Sequence, residues 1–180
     1  SMERDGYESD RTRLCIYEFA TGKKTYVTES FESGVNEFAW ASDNNTLYFS
    51  GVWHGKTNLY STNLQGEVKQ ITNEEADFVL LGIHPNGEQL LAKRHSMTRP
   101  DEVFFVGIAD GKAEQITHEN DPFYAHFQFG KVVERWIETT DKKQMHAWVI
   151  LPPNFDETKK YPTLLFCEGG PQSPVSQFWS

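Results

Sequence analysis

The chain has 180 residues and a formal net charge of −9, because 26 acidic side chains outnumber 17 basic ones. This length is sufficient for one domain or for parts of two, and a hydrophobic content of 38% excludes a disordered protein. The longest apolar run, Phe78 to Ile83, is far below the ~20 residues that cross a bilayer. The negative charge disfavours nucleic acid as a partner, since no cluster of Lys or Arg offsets it.

Three segments share one pattern, in which an apolar stretch, a turn with glycine and a short stretch ending in threonine follow each other. Each glycine precedes its threonine by six positions, and successive copies are 44 and 45 residues apart. The residues concerned are Gly22 with Thr28, Gly66 with Thr72, and Gly111 with Thr117. We predict a β-hairpin in each copy, with its glycine at a positive φ.

A second recurring unit, residues 38–49 and 81–91, lies between these hairpins and also has the pattern of strand, polar turn and strand. Four short strands in a period of about 44 residues are typical of a β-propeller blade. A helical solenoid would require a 3.6-residue periodicity, which the repeats lack.

The predicted blades are the last two strands of one blade (about 12–29) and two whole blades (about 35–72 and 78–117). A closed ring needs at least about four blades. We therefore expect the chain to begin in mid-blade and to expose open sheet edges, through which it could self-associate.

The blade pattern stops after residue 117. A polar connector is followed by predicted strands at Val132–Glu138 and Met145–Leu151, which form a hairpin. The apolar run Thr163–Cys167 does not alternate and is predicted to be a strand buried on both faces. It leads into Gly169-Gly170.

The order of these features resembles the prolyl oligopeptidase family of serine peptidases. The resemblance includes Pro152-Pro153-Asn154-Phe155-Asp156, Lys159-Lys160-Tyr161-Pro162 and Gly169-Gly170-Pro171. The stretch from Cys167 to Gln172 is most similar to bacterial dipeptidyl-peptidase and acylaminoacyl-peptidase types. The resemblance implies the last blades of a β-propeller over residues 1–121 and the start of an α/β-hydrolase domain over residues 122–180. The expected fold of this chain is all-β: about two and a half four-stranded blades, then the first hydrolase strands.

The resemblance also assigns a role to Gly169 and Gly170. In an α/β-hydrolase, part of the oxyanion hole is formed by an N–H from the loop after the third strand, where these two glycines fall. Relatives often have Tyr or His immediately before the glycines, whereas this chain has Glu168, so only backbone donors are expected. No G-x-S-x-G motif occurs, and none of the catalytic triad is present: Ser, Asp and His are expected beyond Ser180.

The implied protein is a serine exopeptidase that releases dipeptides or acyl-amino acids from peptide N termini, with the propeller restricting access. The 180-residue chain itself is expected to be inactive, and no cofactor is implied. A periplasmic or secreted location is implied by the resemblance alone. The alternative hypothesis is a non-catalytic propeller that binds a protein partner, with residues 124–180 as a plain β extension.

The remaining polar candidates favour structural roles. The thiols Cys15 and Cys167 are predicted to be small buried side chains. The six histidines follow no metal-ligand spacing, and His146, in a predicted strand, is interpreted as a packed or surface residue. The acidic pairs Glu74-Glu75 and Asp101-Glu102 are interpreted as solvated loop charges. We expect the tail from Gly169 to Ser180 to be disordered.

Overall fold

A computed structural model describes residues 1–4, 6–7, 9–167 and 173–179. Within these ranges the protein has twelve strands and one short helix. In chain order they are β1 Cys15–Glu18, β2 Lys23–Tyr26, β3 Val35–Trp40, β4 Thr46–Trp53, β5 Lys56–Asn63, β6 Val68–Gln70, β7 Asp77–Ile83, β8 Gln89–Ser96, β9 Arg99–Gly107, β10 Ala113–Gln115, α1 Asp121–Tyr124, β11 Val132–Glu138 and β12 Gln144–Ile150. None of the described helices is long and apolar enough to cross a membrane.

The strands form the predicted blades. β1 pairs with β2, β3 to β6 form one antiparallel unit, and β7 to β10 form the next. The two complete units meet where β5 pairs in parallel with β7, and this register contains one residue pair, Thr57 with Asp77. The interpretation as half a blade followed by two whole blades is confirmed.

Blades pack on one another through two apolar clusters. One joins the half-blade to the first whole blade and contains Val27, Phe31, Phe49 and Tyr60 among its members. The second joins the two whole blades. It includes Leu59, Phe78, Leu90 and Val106, all fully buried. The alternation of buried and exposed side chains along β9 has the two-residue period expected of a strand with one face on the core.

The repeated threonine has a specific hydrogen-bonding role. In each copy its hydroxyl oxygen accepts the backbone N–H of a residue at or near the start of the hairpin, 13 or 14 positions earlier. The pairs are Leu14 with Thr28 (2.9 Å), Leu59 with Thr72 (2.9 Å) and Val103 with Thr117 (2.8 Å). Since an unpaired buried N–H is costly, threonine at this position completes the hydrogen bonding of the blade where the outer strand ends.

The predicted turn glycines have positive φ angles of 70° at Gly22, 82° at Gly66 and 67° at Gly111. At Gly111 the surroundings are also tight, because a Cβ atom there would lie 2.1 Å from the carbonyl oxygen of Ile71 in the neighbouring blade. This glycine therefore satisfies both a backbone requirement and a packing requirement.

The predicted hairpin is confirmed as β11 and β12, but the predicted buried strand Thr163–Cys167 is wrong. These residues have no strand pairing, and the side chains of Leu164 and Phe166 are 98% and 76% exposed. A strand requires backbone partners on at least one side, and no described segment lies beside this run to supply them.

The prediction that both cysteines are buried is also wrong. Cys167 belongs to the unpaired run and is exposed, while Cys15 in β1 is half-buried. Both thiols are free.

We predict that Gly111→Ala destabilises the protein more than Gly87→Ala does. Gly87 has a similar φ of 72° but no atom within 4 Å of the position of an added Cβ, so its substitution costs only backbone strain, about 1–2 kcal/mol. At Gly111 the contact with Ile71 is added, and a loss of roughly 3 kcal/mol or more is expected. Denaturant unfolding of both variants measures the difference, and equal losses would contradict the role of packing.

Candidate functional site

The predicted oxyanion residues Gly169 and Gly170 lie outside the described residues. The segment after them, residues 173–179, is described and was expected to be disordered. Instead it packs against both the blades and the hairpin. Gln177 is only 2% exposed.

Two hydrogen bonds attach this segment to different parts of the fold. The indole Nε1 of Trp148 in β12 donates to the carbonyl oxygen of Val175 at 3.1 Å. The backbone N–H of Met97, in the turn between β8 and β9, donates to Oε1 of Gln177 at 3.4 Å. Further along, the ring of Trp179 contacts Tyr124 with centroids 5.4 Å apart.

A charged cluster from the second whole blade lies beneath this segment. Asp77, at the start of β7, is 4% exposed and accepts the backbone N–H of Thr57 at 2.8 Å. Burial opposes ionisation of Asp77, but the neighbouring His95 and the hydrogen bond from the N–H of Thr57 outweigh it and lower the pKa of the carboxyl.

His95, near the end of β8, lies between two carboxylates. Its Nε2 is 3.6 Å from Asp77 Oδ2, and its Nδ1 is 2.7 Å from Asp101 Oδ1. Lys93 pairs with the other oxygen of Asp101 at 2.7 Å. The interaction with Asp77, opposed by burial and reinforced by Asp101, raises the pKa of His95. The four charges form one alternating network across β7, β8 and β9.

The interpretation of Asp101-Glu102 as solvated loop charges is wrong, because Asp101 lies in β9, paired with Lys93 and His95, and Glu102 is buried. This residue lies in β9, is 7% exposed and accepts hydrogen bonds from the Thr117 hydroxyl and the Asn120 backbone N–H. The alternation of β9 explains the difference, since Glu102 points to the same face as Phe104 and Val106. Glu74 is half-buried and pairs with Arg94 at 3.1 Å, whereas Glu75 is exposed as expected.

His146 is a packed residue, as the sequence indicated. It lies in β12, half-buried between Trp136 and Trp148, and its Nε2 is 3.1 Å from Glu134. The Nζ of Lys56, in the first whole blade, lies 3.5 Å from the same carboxylate oxygen of Glu134. The contact holds the hairpin against the turn between β4 and β5.

The surroundings of this charged cluster offer little as a ligand site. A cavity between the β8–β9 turn and α1 measures about 120 Å³ and is lined in part by Arg99, Glu102 and Tyr124. This is below the roughly 300 Å³ at which small-molecule sites begin. Over the ranges the structure describes, no group of three or more His, Cys, Asp or Glu side chains is arranged to hold a metal ion.

Sequence reasoning missed the pairing of Asp77 with His95 because the two residues are 18 positions apart in the chain. The sequence did contain a signal for this pair. Asp77 stands at the start of a strand whose following residues are apolar, and His95 stands near the end of the next strand. Their antiparallel register places them opposite one another.

We predict that His95 contributes a pH-dependent part of the stability. Because its pKa is raised in the folded state, protonated His95 stabilises the fold. This contribution is fully present below the pKa of unfolded histidine, about 6.5, and is lost as the pH rises through the raised value. The facing carboxylates Asp77 and Asp101 have lowered pKa values, so they stay ionised in this window.

The measurement is the free energy of unfolding at several pH values from about 6 upward, for the wild type and His95→Gln. The variant is expected to lack the decline attributed to this histidine. His84→Gln is the control, since His84 forms no ion pair with any described residue and should keep the decline. An unchanged pH profile in His95→Gln would contradict the prediction.

Comparisons with known proteins show which proteins the chain resembles. No protein-family model matches the chain. It is 42% identical to dipeptidyl-peptidase 5 of Porphyromonas gingivalis over 181 aligned positions, which cover 100% of this chain and 26% of that protein. It is 28% identical to dipeptidyl-peptidase 5 of Aspergillus fumigatus, over 99% of this chain and 25% of that one.

Solved structures agree on the fold. Pyrococcus horikoshii acylaminoacyl peptidase matches with a TM-score of 0.76 and 22% identity, over 98% of this chain and 26% of that one. The β-propeller domain of the Trilobed protease from Pyrococcus furiosus matches with a TM-score of 0.53 and 24% identity, over 71% of this chain and 36% of that one. The chain thus spans about a quarter of the length of the curated relatives it matches. Over that stretch, the resemblance to the prolyl oligopeptidase family of peptidases is confirmed.

Proposed function

We propose that this chain is part of a serine exopeptidase that releases dipeptides or acyl-amino acids from the N termini of peptides. The observation that carries the proposal is the 42% identity to a dipeptidyl-peptidase 5 along the whole chain. The alternative of a non-catalytic propeller does not account for similarity that continues without a break beyond the last blade. Short peptides are the proposed substrates, and the net charge of −9 disfavours nucleic acid.

The proposed division places the last propeller blades in residues 1–121 and the start of an α/β-hydrolase domain in residues 122–180. In support, the sheet of the blades ends with β10, whereas β11 and β12 form a separate two-stranded sheet. The blades would border the active site and limit access to short peptides.

The proposed chemistry is acyl transfer through a covalent acyl-enzyme. Backbone N–H groups of Gly169 and Gly170 would donate to the oxyanion of the tetrahedral intermediate, a contribution of about 2.7–4 kcal/mol for one donor. The nucleophile, base and orienting acid would come from the part of the protein outside these 180 residues, because the chain contains no G-x-S-x-G motif. We also propose that the protein is periplasmic or secreted.

We predict that the full-length gene product hydrolyses dipeptidyl or acyl-amino-acid amides and that the 180-residue chain alone does not. Gly169→Pro and Gly170→Pro each remove one backbone N–H, and at least one is expected to lower kcat about 10²–10³-fold. The corresponding alanine variants keep the N–H and serve as controls. Chromogenic amide assays of these proteins test the proposal. The proposal would be rejected if the full-length protein lacked a G-x-S-x-G serine, or if both proline variants kept full kcat.

We also predict that the isolated chain self-associates through its sheet edges. β3 and β10 each have one neighbouring strand in the described sheet, and unpaired strand edges template pairing with another chain. Light scattering over a range of concentrations should give a mass above that of one chain, and Phe38→Lys, which charges the exposed side of β3, should reduce it. A monomer at every concentration would show that these edges do not pair.

A further inference from the structure

We propose that a cavity between the two whole blades is a docking site for a proline-containing peptide segment in the polyproline II conformation. The cavity lies between the turn from β3 to β4 and the turn from β7 to β8, and it measures about 280 Å³. This volume is close to the roughly 300 Å³ at which small-molecule sites begin. Its lining includes Trp40, Ser42, Tyr48, Ile83, His84 and Pro85. The inference goes beyond the proposed peptidase activity and does not depend on it.

The cavity lies at the end of the blades away from the hairpin β11–β12. From the cavity, β4 and β8 run toward the turns that contact the hairpin and residues 173–179. Each of these strands has eight residues, which corresponds to about 25 Å. The cavity is therefore separate from the charged network around Asp77 and His95.

Three hydrogen-bond donors of the lining donate to no described residue. They are the indole Nε1 of Trp40, the hydroxyl of Tyr48 and Nε2 of His84. Nδ1 of His84 accepts the backbone N–H of Asn86 at 3.2 Å, so the neutral ring carries its proton on Nε2. Tyr48 is only 8% exposed, yet its hydroxyl is not fully buried. Donors from both blades are thus available to one ligand.

The same lining offers few acceptors. None of the described side chains that line the cavity is a carboxylate or an amide. A matching ligand has to bring acceptors and few donors, because a buried donor without a partner costs free energy. Proline residues meet this condition, since each keeps its carbonyl oxygen and lacks a backbone N–H. A sugar does not meet it, because each of its hydroxyl groups also brings a donor.

The walls of the cavity suit the apolar ring of proline. Trp40 is 45% exposed, and Ile83 and Pro85 add apolar surface from the other blade. The ring of His84 packs edge-on against Phe105, with centroids 5.1 Å apart. Grooves with aromatic walls bind proline-rich segments, whose polyproline II backbone is already ordered and so loses little entropy on binding.

A carboxylate beside the cavity disfavours an anionic ligand. Asp43, in the turn between β3 and β4, accepts the N–H groups of Asn45 at 2.9 Å and Thr46 at 2.8 Å. These hydrogen bonds lower the pKa of Asp43 and keep it charged. Burial, together with the charge of Asp43, raises the pKa of Tyr48, so the Tyr48 hydroxyl remains a donor. A neutral ligand with carbonyl oxygens is favoured over a carboxylate or a phosphate.

The experiment measures the affinity of the full-length protein for two N-acetylated peptides by isothermal titration calorimetry. One is a peptide of about ten prolines, which spans roughly 31 Å as a polyproline II helix. The control peptide has the same length and alternates glycine with serine. We expect the proline peptide to bind at least about tenfold more tightly, because the flexible control has to be ordered and brings backbone N–H groups.

Two variants assign the binding to this cavity. Trp40→Ala should weaken binding of the proline peptide at least about tenfold, since it removes an aromatic wall. Tyr48→Phe keeps the ring and removes only the hydroxyl, so a loss of about fivefold is expected for one hydrogen bond. The matched controls are Phe19→Ala and Tyr17→Phe, which change exposed aromatic residues of the half-blade and should leave the affinity unchanged. Tyr48→Phe decides the question even if Trp40→Ala misfolds.

Equal affinity of the wild type for both peptides would overturn the inference, as would unchanged binding of the proline peptide in Tyr48→Phe and in folded Trp40→Ala. Cellotriose is titrated as a further probe. If it bound in place of the proline peptide and lost affinity in Trp40→Ala, the cavity would be a sugar site and the inference would be wrong. Because calorimetry requires no hydrolysis, the outcome is independent of the proposed peptidase activity.

Discussion

The junction between the two complete blades depends on Asp77. The strands β5 and β7 diverge so quickly that their register contains one pair, Thr57 with Asp77. The side chain of Asp77 strengthens that junction by accepting the N–H of Thr57. A carboxylate at this point is buried and has to be compensated, which explains the alternating charges of His95, Asp101 and Lys93 around it.

Within each blade, a side chain also completes the hydrogen bonding of the backbone at the outer edge. The three repeated threonines use a hydroxyl to satisfy a backbone N–H where the short outer strand has ended. The residue preceding that N–H is also polar and partly or fully buried in each copy: Arg13, Asn58 and Glu102. In the two complete blades, Asn58 and Glu102 accept from the threonine hydroxyl. In these two blades the side chain differs while the bonded geometry is retained, because the threonine hydroxyl requires a buried acceptor. Arg13 in the half-blade has no acceptor atom in its side chain and does not make this bond.

The blades could be predicted from the sequence because their determinants are local. Glycine at fixed spacing indicates a turn, and alternation of apolar residues indicates a strand with one buried face. The hairpin β11–β12 was accessible for the same reason. The run Thr163–Cys167 has an equally strong strand composition, yet it is exposed and unpaired, because apolar composition indicates a preference for burial and cannot supply the neighbouring strands. Glu102 shows the opposite case, in which an acidic residue is buried because its strand position and its partners Thr117 and Asn120 require it.

By itself, the sequence determined the period of the repeats, the turn positions and the family resemblance, since each of these depends on residues close together in the chain or on an ordered set of motifs. Only the tertiary structure decided which polar groups meet. Asp77 meets His95 from 18 positions away and Met97 meets Gln177 from 80 positions away, and no local pattern links them. Their contact arises because antiparallel pairing places the start of β7 beside the end of β8, and because packing of residues 173–179 brings the returning chain over that edge.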